Sequence, residues 1–457
     1  MKDTVEALPL IKNYAELISH GQAGVRRDAL EIVEAGIRGA DPGRGTRNLV
    51  KLDGEVLRVG NRTYDLRQVD HIYVVGAGKG SFPIAAALEE ILGPRITRGV
   101  VVVKNGEQRR LARIEILEAG HPLPDENSVS GARQILELAE LAGPRDLVFA
   151  VFTGGASALA ILPPAGIGLQ EIQELTDLLL KCGAPIDRIN AVRKHLCQLK
   201  GGRLVARIQP AEAITLTLDT APENMPWPDM CLADPSTFQD AVDILRHYDL
   251  WERVAPSIQA YLLEGVARPE RETVKSLAGM KAVLFSVGDP VGACEAAADR
   301  SRALGYRPVI LSTRIEGEAK DLGIFLAGVA REILKAGRPF QPPCALISGG
   351  ETTVTIGDTC GSGGPNQETV LGFARHLSCL ADVACIAVDT DGTDGPTDAA
   401  GGVADGLTFE RAREAGLNLE EYLKTHNTLE ALGRLNDLVV TGHTGTNVMN
   451  LRVVLIR

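Results

Sequence analysis

Apolar residues along the chain gather in short unbroken runs rather than in alternation with polar ones. The runs are HIYVVGAGKG (71–80), RGVVVV (98–103), DLVFAVFTGG (146–155), AITLTLDT (213–220), KAVLFSVGD (281–289), RPVILST (307–313), PCALISGGE (343–351), VACIAVDTDG (383–392), NDLVVTGHTGT (436–446) and LRVVLI (451–456). Continuous β-branched character predicts strands covered on both faces. Helical spacing of apolar positions follows many of them, in VSGARQILELAELAG (129–143), IDRINAVRKHLCQLKGGRLVARI (186–208) and FQDAVDILRHYDLWERV (238–254). Strand–helix alternation of this kind predicts an α/β fold with largely parallel sheets.

A chain of 457 residues exceeds what one hydrophobic core holds, so two domains are expected. The charged, weakly periodic segment VARPERETVKSLAGMK (266–281) is the preferred link, giving domains 1–265 and 266–457. Several runs finish in polar or glycine-rich residues: GAGKG, FTGGAS, LDT, ISGGETT, VDTDG and VTGHTGTN. Ligands of open α/β sheets bind outside the carboxyl ends of the strands. Turn-making accounts for the glycines. It does not account for Lys79, Asp219, Glu351 and Asp391 all standing at strand ends, which predicts a shared ligand site.

Composition narrows the partners. A net charge of −11 and 4% aromatic residues disfavour nucleic-acid binding, which needs a basic face or stacking platforms. The N-terminal MKDTVEALPLIKNYAEL lacks the pattern of a signal peptide, and no apolar run is long enough to span a bilayer. The eight cysteines are scattered without a CxxC pair, which suits free thiols in a reducing cytoplasm.

Five segments carry candidate chemistry. GAGKGS (76–81) is a glycine turn before a helix, with Lys79 inside it and Ser81 where a dinucleotide fingerprint needs its third glycine. No GxxxxGK[ST] loop occurs, so the turn suits a phosphate or carboxylate rather than a Walker-type site. GGASA (154–158) and GSGGPNQE (361–368) are further glycine turns able to cradle an anion, the latter opening a helix at Pro365. In INAVRKHLCQLKGG (189–202), helical spacing puts Arg193 and Lys200 on one face as local positive charge, with His195 at the surface or in a cap. In VDTDGTDGPTDAAGG (388–402), Asp389 and Asp391 bracket a strand end and suit Mg²⁺, while Asp394 and Asp398 are partly structural. Each segment also has a plainer reading as surface charge, solvated helix face or helix-capping turn.

Taken in order, these motifs resemble those of the class II glycerate kinases, the glycerate 2-kinase group with a C-terminal MOFRL domain. HPLPDENSVSGA (121–132), FTGGASAL (152–159), ISGGETTVTI (347–356), GGPNQE (363–368) and TGHTGTNV (441–448) extend the resemblance over nearly the whole chain. It implies a larger Rossmann-like N-terminal domain and a smaller C-terminal domain with a mixed sheet. It also implies ATP- and Mg²⁺-dependent phosphorylation of D-glycerate, or a related short sugar acid, in the cytoplasm. No nucleic acid or membrane takes part, and a homodimer is left open. By position, Lys79 would contact phosphate or substrate, Asp219 would be the base on the accepting hydroxyl, and Arg193 would bind an anionic group. Nucleotide would lie on Gly154, Gly155, Ser157 and Lys200, and on Gly349, Gly350, Glu351, Thr352, Gly363, Gly364, Asn366 and Asp394. Metal would lie on Asp389 and Asp391, all converging on one pocket.

The chain departs from the family at three ligand loops. Ser362 and Pro365 stand where arginine is expected, Ala156 replaces a glycine, and LDTAPENMPWPDMCLADPST (218–237) keeps Asp219 but lacks the usual SGPT. These changes predict altered substrate choice, with a non-catalytic binding protein as the alternative. Some relatives bear a hydroxypyruvate reductase label, for which the failed dinucleotide fingerprint gives no support.

Overall fold

A computed structural model describes residues 9–106, 109–218, 230–356, 361–377 and 380–457. Among these residues the strands are β1 (Val50–Asp53), β2 (Val56–Val59), β3 (Arg62–Asp65), β4 (Ile72–Ala77), β5 (Ile96–Lys104), β6 (Ile114–Ala119), β7 (Leu147–Phe152), β8 (Glu212–Leu218), β9 (Ala282–Gly288), β10 (Arg307–Ser312), β11 (Cys344–Gly350), β12 (Val383–Asp389), β13 (Gly401–Asp405), β14 (Leu438–Val439) and β15 (Asn450–Ile456). Two compact units form. One is Pro42–Val287; the other joins Met1–Asp41 to Gly288–Arg457. This differs from a split at 265/266. β9 lies beyond the expected link yet completes the first unit's sheet, and the helix Ala23–Gly39 packs in the second unit.

The sheet of the first unit has the order β6-β5-β4-β7-β8-β9. The pairs β4–β5, β5–β6, β4–β7 and β7–β8 are all parallel. By rank in the chain the order is 3-2-1-4-5-6, the doubly wound arrangement whose topological switch falls between β4 and β7. Both of those strands are buried at every residue, which is why they read as unbroken apolar runs. A separate antiparallel meander, β1-β2-β3, precedes this sheet.

The second unit's sheet has the order β10-β11-β15-β12-β13-β14. Only β10–β11 is parallel; β11–β15, β15–β12, β12–β13 and β13–β14 are antiparallel. The expectation of largely parallel sheets therefore fails here, and the mixed sheet implied by the family resemblance is what forms. Apolar runs report burial on both faces, not strand direction. Helices Ala23–Gly39 and Pro290–Ala303 cover one face, with Ile32, Val33, Ala297, Ile386 and Val453 in its core. Helices Ala319–Ala336 and Pro365–Ala374 cover the other, with Leu326, Phe373, Cys385 and Val454. Among the described residues no helix is long and apolar enough to cross a membrane.

Candidate functional site

The turns after β4 and β7 are laced together at the switch point of the first unit. Gly78 N–H donates to Val102 O (3.0 Å), Lys79 N–H to Gly154 O (2.8 Å) and Gly80 N–H to Thr153 Oγ1 (2.9 Å). Gly78 has φ +140°, and a Cβ there would lie 2.2 Å from Thr153 Oγ1, so only glycine brings the turns this close. Gly155, at φ +90°, is the meeting point of two side chains. A Cβ on it would sit 3.1 Å from His121 Cδ2, 3.2 Å from His121 Nε2 and 3.3 Å from Lys79 Cγ.

Two more cations converge on the next turn. Ser157 O accepts from Arg193 Nη2 and from Lys200 Nζ, each at 3.0 Å. They arrive from different pieces of backbone, which corrects the single helix face read from the sequence. The helix Ile186–His195 stops at His195, and Gly201 and Gly202 then turn the chain at φ +63° and +74°. Lys200 projects from that turn and is fully buried. His195 is likewise not a surface residue. It is 0% exposed, its ring bonds Ala191 O (2.7 Å) and packs edge-on to Phe238, and burial pushes its pKa down. Lys79 and His121 thus meet at Gly155, and Arg193 and Lys200 at Ser157 two residues on, a candidate cradle past the carboxyl end of β7. His121 received no role from the sequence alone. Its signal was its place, two residues past β6 in the same row of strand ends.

The second unit gathers Gly349, Gly350, Glu351, Thr352, Asp389, Asp391 and Asp394 at the carboxyl ends of β11 and β12 and in the turn beyond. Asp389 Oδ1 accepts from Asp391 N–H (3.0 Å), and Asp391 Oδ1 from Thr393 N–H (2.9 Å) and Oγ1 (2.7 Å). Asn447 Nδ2 donates to Asp391 Oδ2 (3.2 Å). The acidic turn folds tightly against TGHTGT: Gly392 has φ +95°, and a Cβ on it would lie 1.9 Å from Gly442 O.

Asp394 has a different task. It is 0% exposed and accepts from Asn366 N–H (3.0 Å), Asn366 Nδ2 (3.0 Å) and Gln367 N–H (2.9 Å). It therefore caps the helix Pro365–Ala374, which begins at Pro365 as the sequence indicates. Gly363 and Gly364 lead into that helix, and a Cβ on Gly364 would lie 2.3 Å from Asp394 Cγ. At Ser362, its N–H donates to Asn427 Oδ1 (3.4 Å) and its O accepts from Leu429 N–H (3.0 Å). Deeper in the helix Glu368 bonds His426 Nδ1 at 2.6 Å, and burial raises the Glu368 pKa.

Burial pushes the Asp394 carboxyl up from 3.8 to about 6, against the lowering effect of its donors. A raised folded-state pKa means the folded chain holds this proton more tightly than the unfolded one. The contribution is full below pH 3.8 and is lost as pH rises through about 6. Asp394→Asn is therefore expected to remove a pH-dependent component on the order of 3 kcal/mol. Urea unfolding of wild type and variant across that window measures it as the pH-dependent part of their difference.

Among the described residues no cluster of three or more His, Cys, Asp or Glu side chains could hold a metal ion unaided. Asp389 and Asp391 set two neighbouring carboxylates at the end of β12, the class of ligand that Mg²⁺ takes beside phosphate and water. Asp219 lies outside the described residues. Lys79 and Asp391 belong to different compact units.

The family described as Domain of unknown function (DUF4147) matches residues 28–263, and the MOFRL family matches residues 344–450. A Pyrococcus horikoshii protein named glycerate 2-kinase is 41% identical over 94% of this chain and 97% of its own. The crystal structure of a Thermotoga maritima glycerate kinase superposes with a TM-score of 0.80 at 35% identity, covering 93% of this chain and 98% of that one. An Agrobacterium vitis protein that carries a provisional hydroxypyruvate reductase name is 38% identical over 84% of this chain and 86% of its own. The chain belongs to the glycerate 2-kinase family with a C-terminal MOFRL domain.

Proposed function

We propose that the chain is an ATP-dependent kinase that phosphorylates a hydroxyl of D-glycerate, giving 2-phosphoglycerate, with Mg²⁺ as cofactor. The observation that carries this reading is the cradle at the switch point of the first sheet. It concentrates Lys79, Arg193 and Lys200 on an otherwise acidic protein, and phosphoryl transfer asks chiefly for positioned positive charge. Lys79 binds the carboxylate or phosphate. Arg193 and Lys200 fix the Ser157 turn, and the backbone of Gly154 and Gly155 binds the anion. Asp219 receives the hydroxyl proton. Asp389 and Asp391 hold Mg²⁺ in company with nucleotide phosphates, and the ion supplies neutralising charge on them.

The test is ADP release with D-glycerate and related C3–C6 sugar acids, followed by phosphorus NMR of the product to locate the ester. Release with glycerate and an ester at the 2-position is expected. Folded protein that neither turns over nor binds ATP would end the assignment. Following nicotinamide absorbance with hydroxypyruvate in the same preparation tests the reductase name, and no change is expected.

A further inference from the structure

The middle strand of the second unit's sheet brings a cation to the acidic turn. β15 runs antiparallel between β11 and β12, so its first residues lie at the carboxyl ends of both. The register sets Asn450 opposite Gly350 on one side and Asp389 on the other, and Arg452 opposite Ser348 and Ala387. Asn450 Nδ2 donates to Asp389 Oδ2 (3.4 Å), while its Oδ1 accepts from Thr352 N–H (3.2 Å) and Arg452 Nη2 (2.5 Å). Arg452 Nη2 also donates to Thr352 Oγ1 (2.7 Å). The side chain is 1% exposed, and its Nε and Nη1 meet no acceptor among the described residues. Glu351, Asp394 and Asp389 lie near enough to act on its charge.

We propose that Arg452 is a positioning residue for this end of the sheet, and that its charge makes the acidic turn select metal already carried by phosphate over the bare ion. The proposal rests on the kinase reading above. Stability gives no reason for the residue. A buried guanidinium with unpaired N–H groups costs more than an apolar side chain at the same place. Val454 and Ile456, next along that face of β15, show that the position suits one. What an apolar residue could not do is tie Thr352 to Asp389 through Asn450, or set positive charge beneath carboxylates. That charge opposes capture of a free divalent cation and favours a metal–nucleotide complex, whose net charge is negative.

The experiment uses the full chain with Arg452→Gln and Arg452→Lys. Mn²⁺ binding is measured by calorimetry without nucleotide, and KM for Mg·ATP by steady-state kinetics. Arg452→Gln is expected to bind bare Mn²⁺ about tenfold more tightly while KM for Mg·ATP rises about tenfold. Arg452→Lys keeps charge but is too short to keep both bonds that Nη2 makes to Thr352 and Asn450, so its Mn²⁺ affinity stays within about twofold of wild type while its KM rises. Loss of packing alone would weaken both readouts together, and that result, or no change in either, overturns the proposal. If Arg452→Gln does not fold, Arg452→Lys decides: a raised KM with unmoved Mn²⁺ affinity supports it, an unmoved KM overturns it. Should wild type prove not to be a glycerate kinase, Mn²⁺ and Mg·ADP calorimetry still reads the selectivity, so the two failures are distinguishable.

Discussion

Replacing Lys79 with methionine is expected to lower kcat/KM for D-glycerate by about 10³-fold, most of it in kcat. The turn that carries the residue is held by backbone: Gly78, Lys79 and Gly80 N–H groups all bond outside their own segment. Removing the ammonium therefore removes charge and leaves the loop in place. Its side chain runs beside Gly155, at the point where adjacent parallel strands lead off in opposite directions and where such sheets bind their ligands. Steady-state kinetics with an unchanged urea midpoint is the measurement. Activity within tenfold of wild type would put Lys79 outside the chemistry and remove the cradle as the acceptor site. Lys200 would be a poorer choice for this test, because it is fully buried and its loss would also unfold the turn.

Asp391→Asn is expected to reduce kcat by about 10³-fold and to raise the Mg²⁺ concentration for half-maximal activity at least about tenfold. The asparagine keeps an acceptor for Thr393, and the Asn447 amide can turn over to meet the new N–H at the loss of only the 3.3 Å bond that its Oδ1 accepts from Met449 N–H, so the acidic turn keeps its shape. What disappears is one of the two carboxylates proposed to ligate the metal. A Mg²⁺ titration of initial rates separates a metal effect from a general loss. If the variant shows a lower kcat with an unshifted Mg²⁺ requirement, Asp391 orients the loop and does not ligate.

Much of this was written in the chain. Strand ends rich in glycine and acid located both candidate regions, because βα turns are set by local backbone demands. The misses share a cause. β6 (IEILEA) interleaves glutamate with apolar residues, β1–β3 are half polar, and β13 (GGVAD) hides inside the acidic loop, so none forms an apolar run. Helical spacing pairs Arg193 with Lys200, but it places them on one helix that in fact stops at His195, before Lys200 is reached. His195 reads as polar and is buried because Phe238 and Glu272 come from far along the sequence to cover it. Arg452 stands in an apolar run, LRVVLI, where a lone charge carries no periodic signal. Its meaning lies in β15 running antiparallel, and strand direction is a tertiary fact.

One helix must also wait for its partners during synthesis. Ala23–Gly39 leaves the ribosome early, yet its apolar stripe packs on residues such as Ala293 and Leu451, with Gly36 so close to both that a Cβ would not fit. At ordinary elongation rates the intervening chain takes on the order of tens of seconds to emerge. Through that interval Val25, Leu30, Ile32, Val33 and Ile37 have no sheet to cover them, while the inserted unit can already fold. Until then the apolar stripe stays uncovered on the nascent chain, and swifter translation of the insert should shorten the exposure.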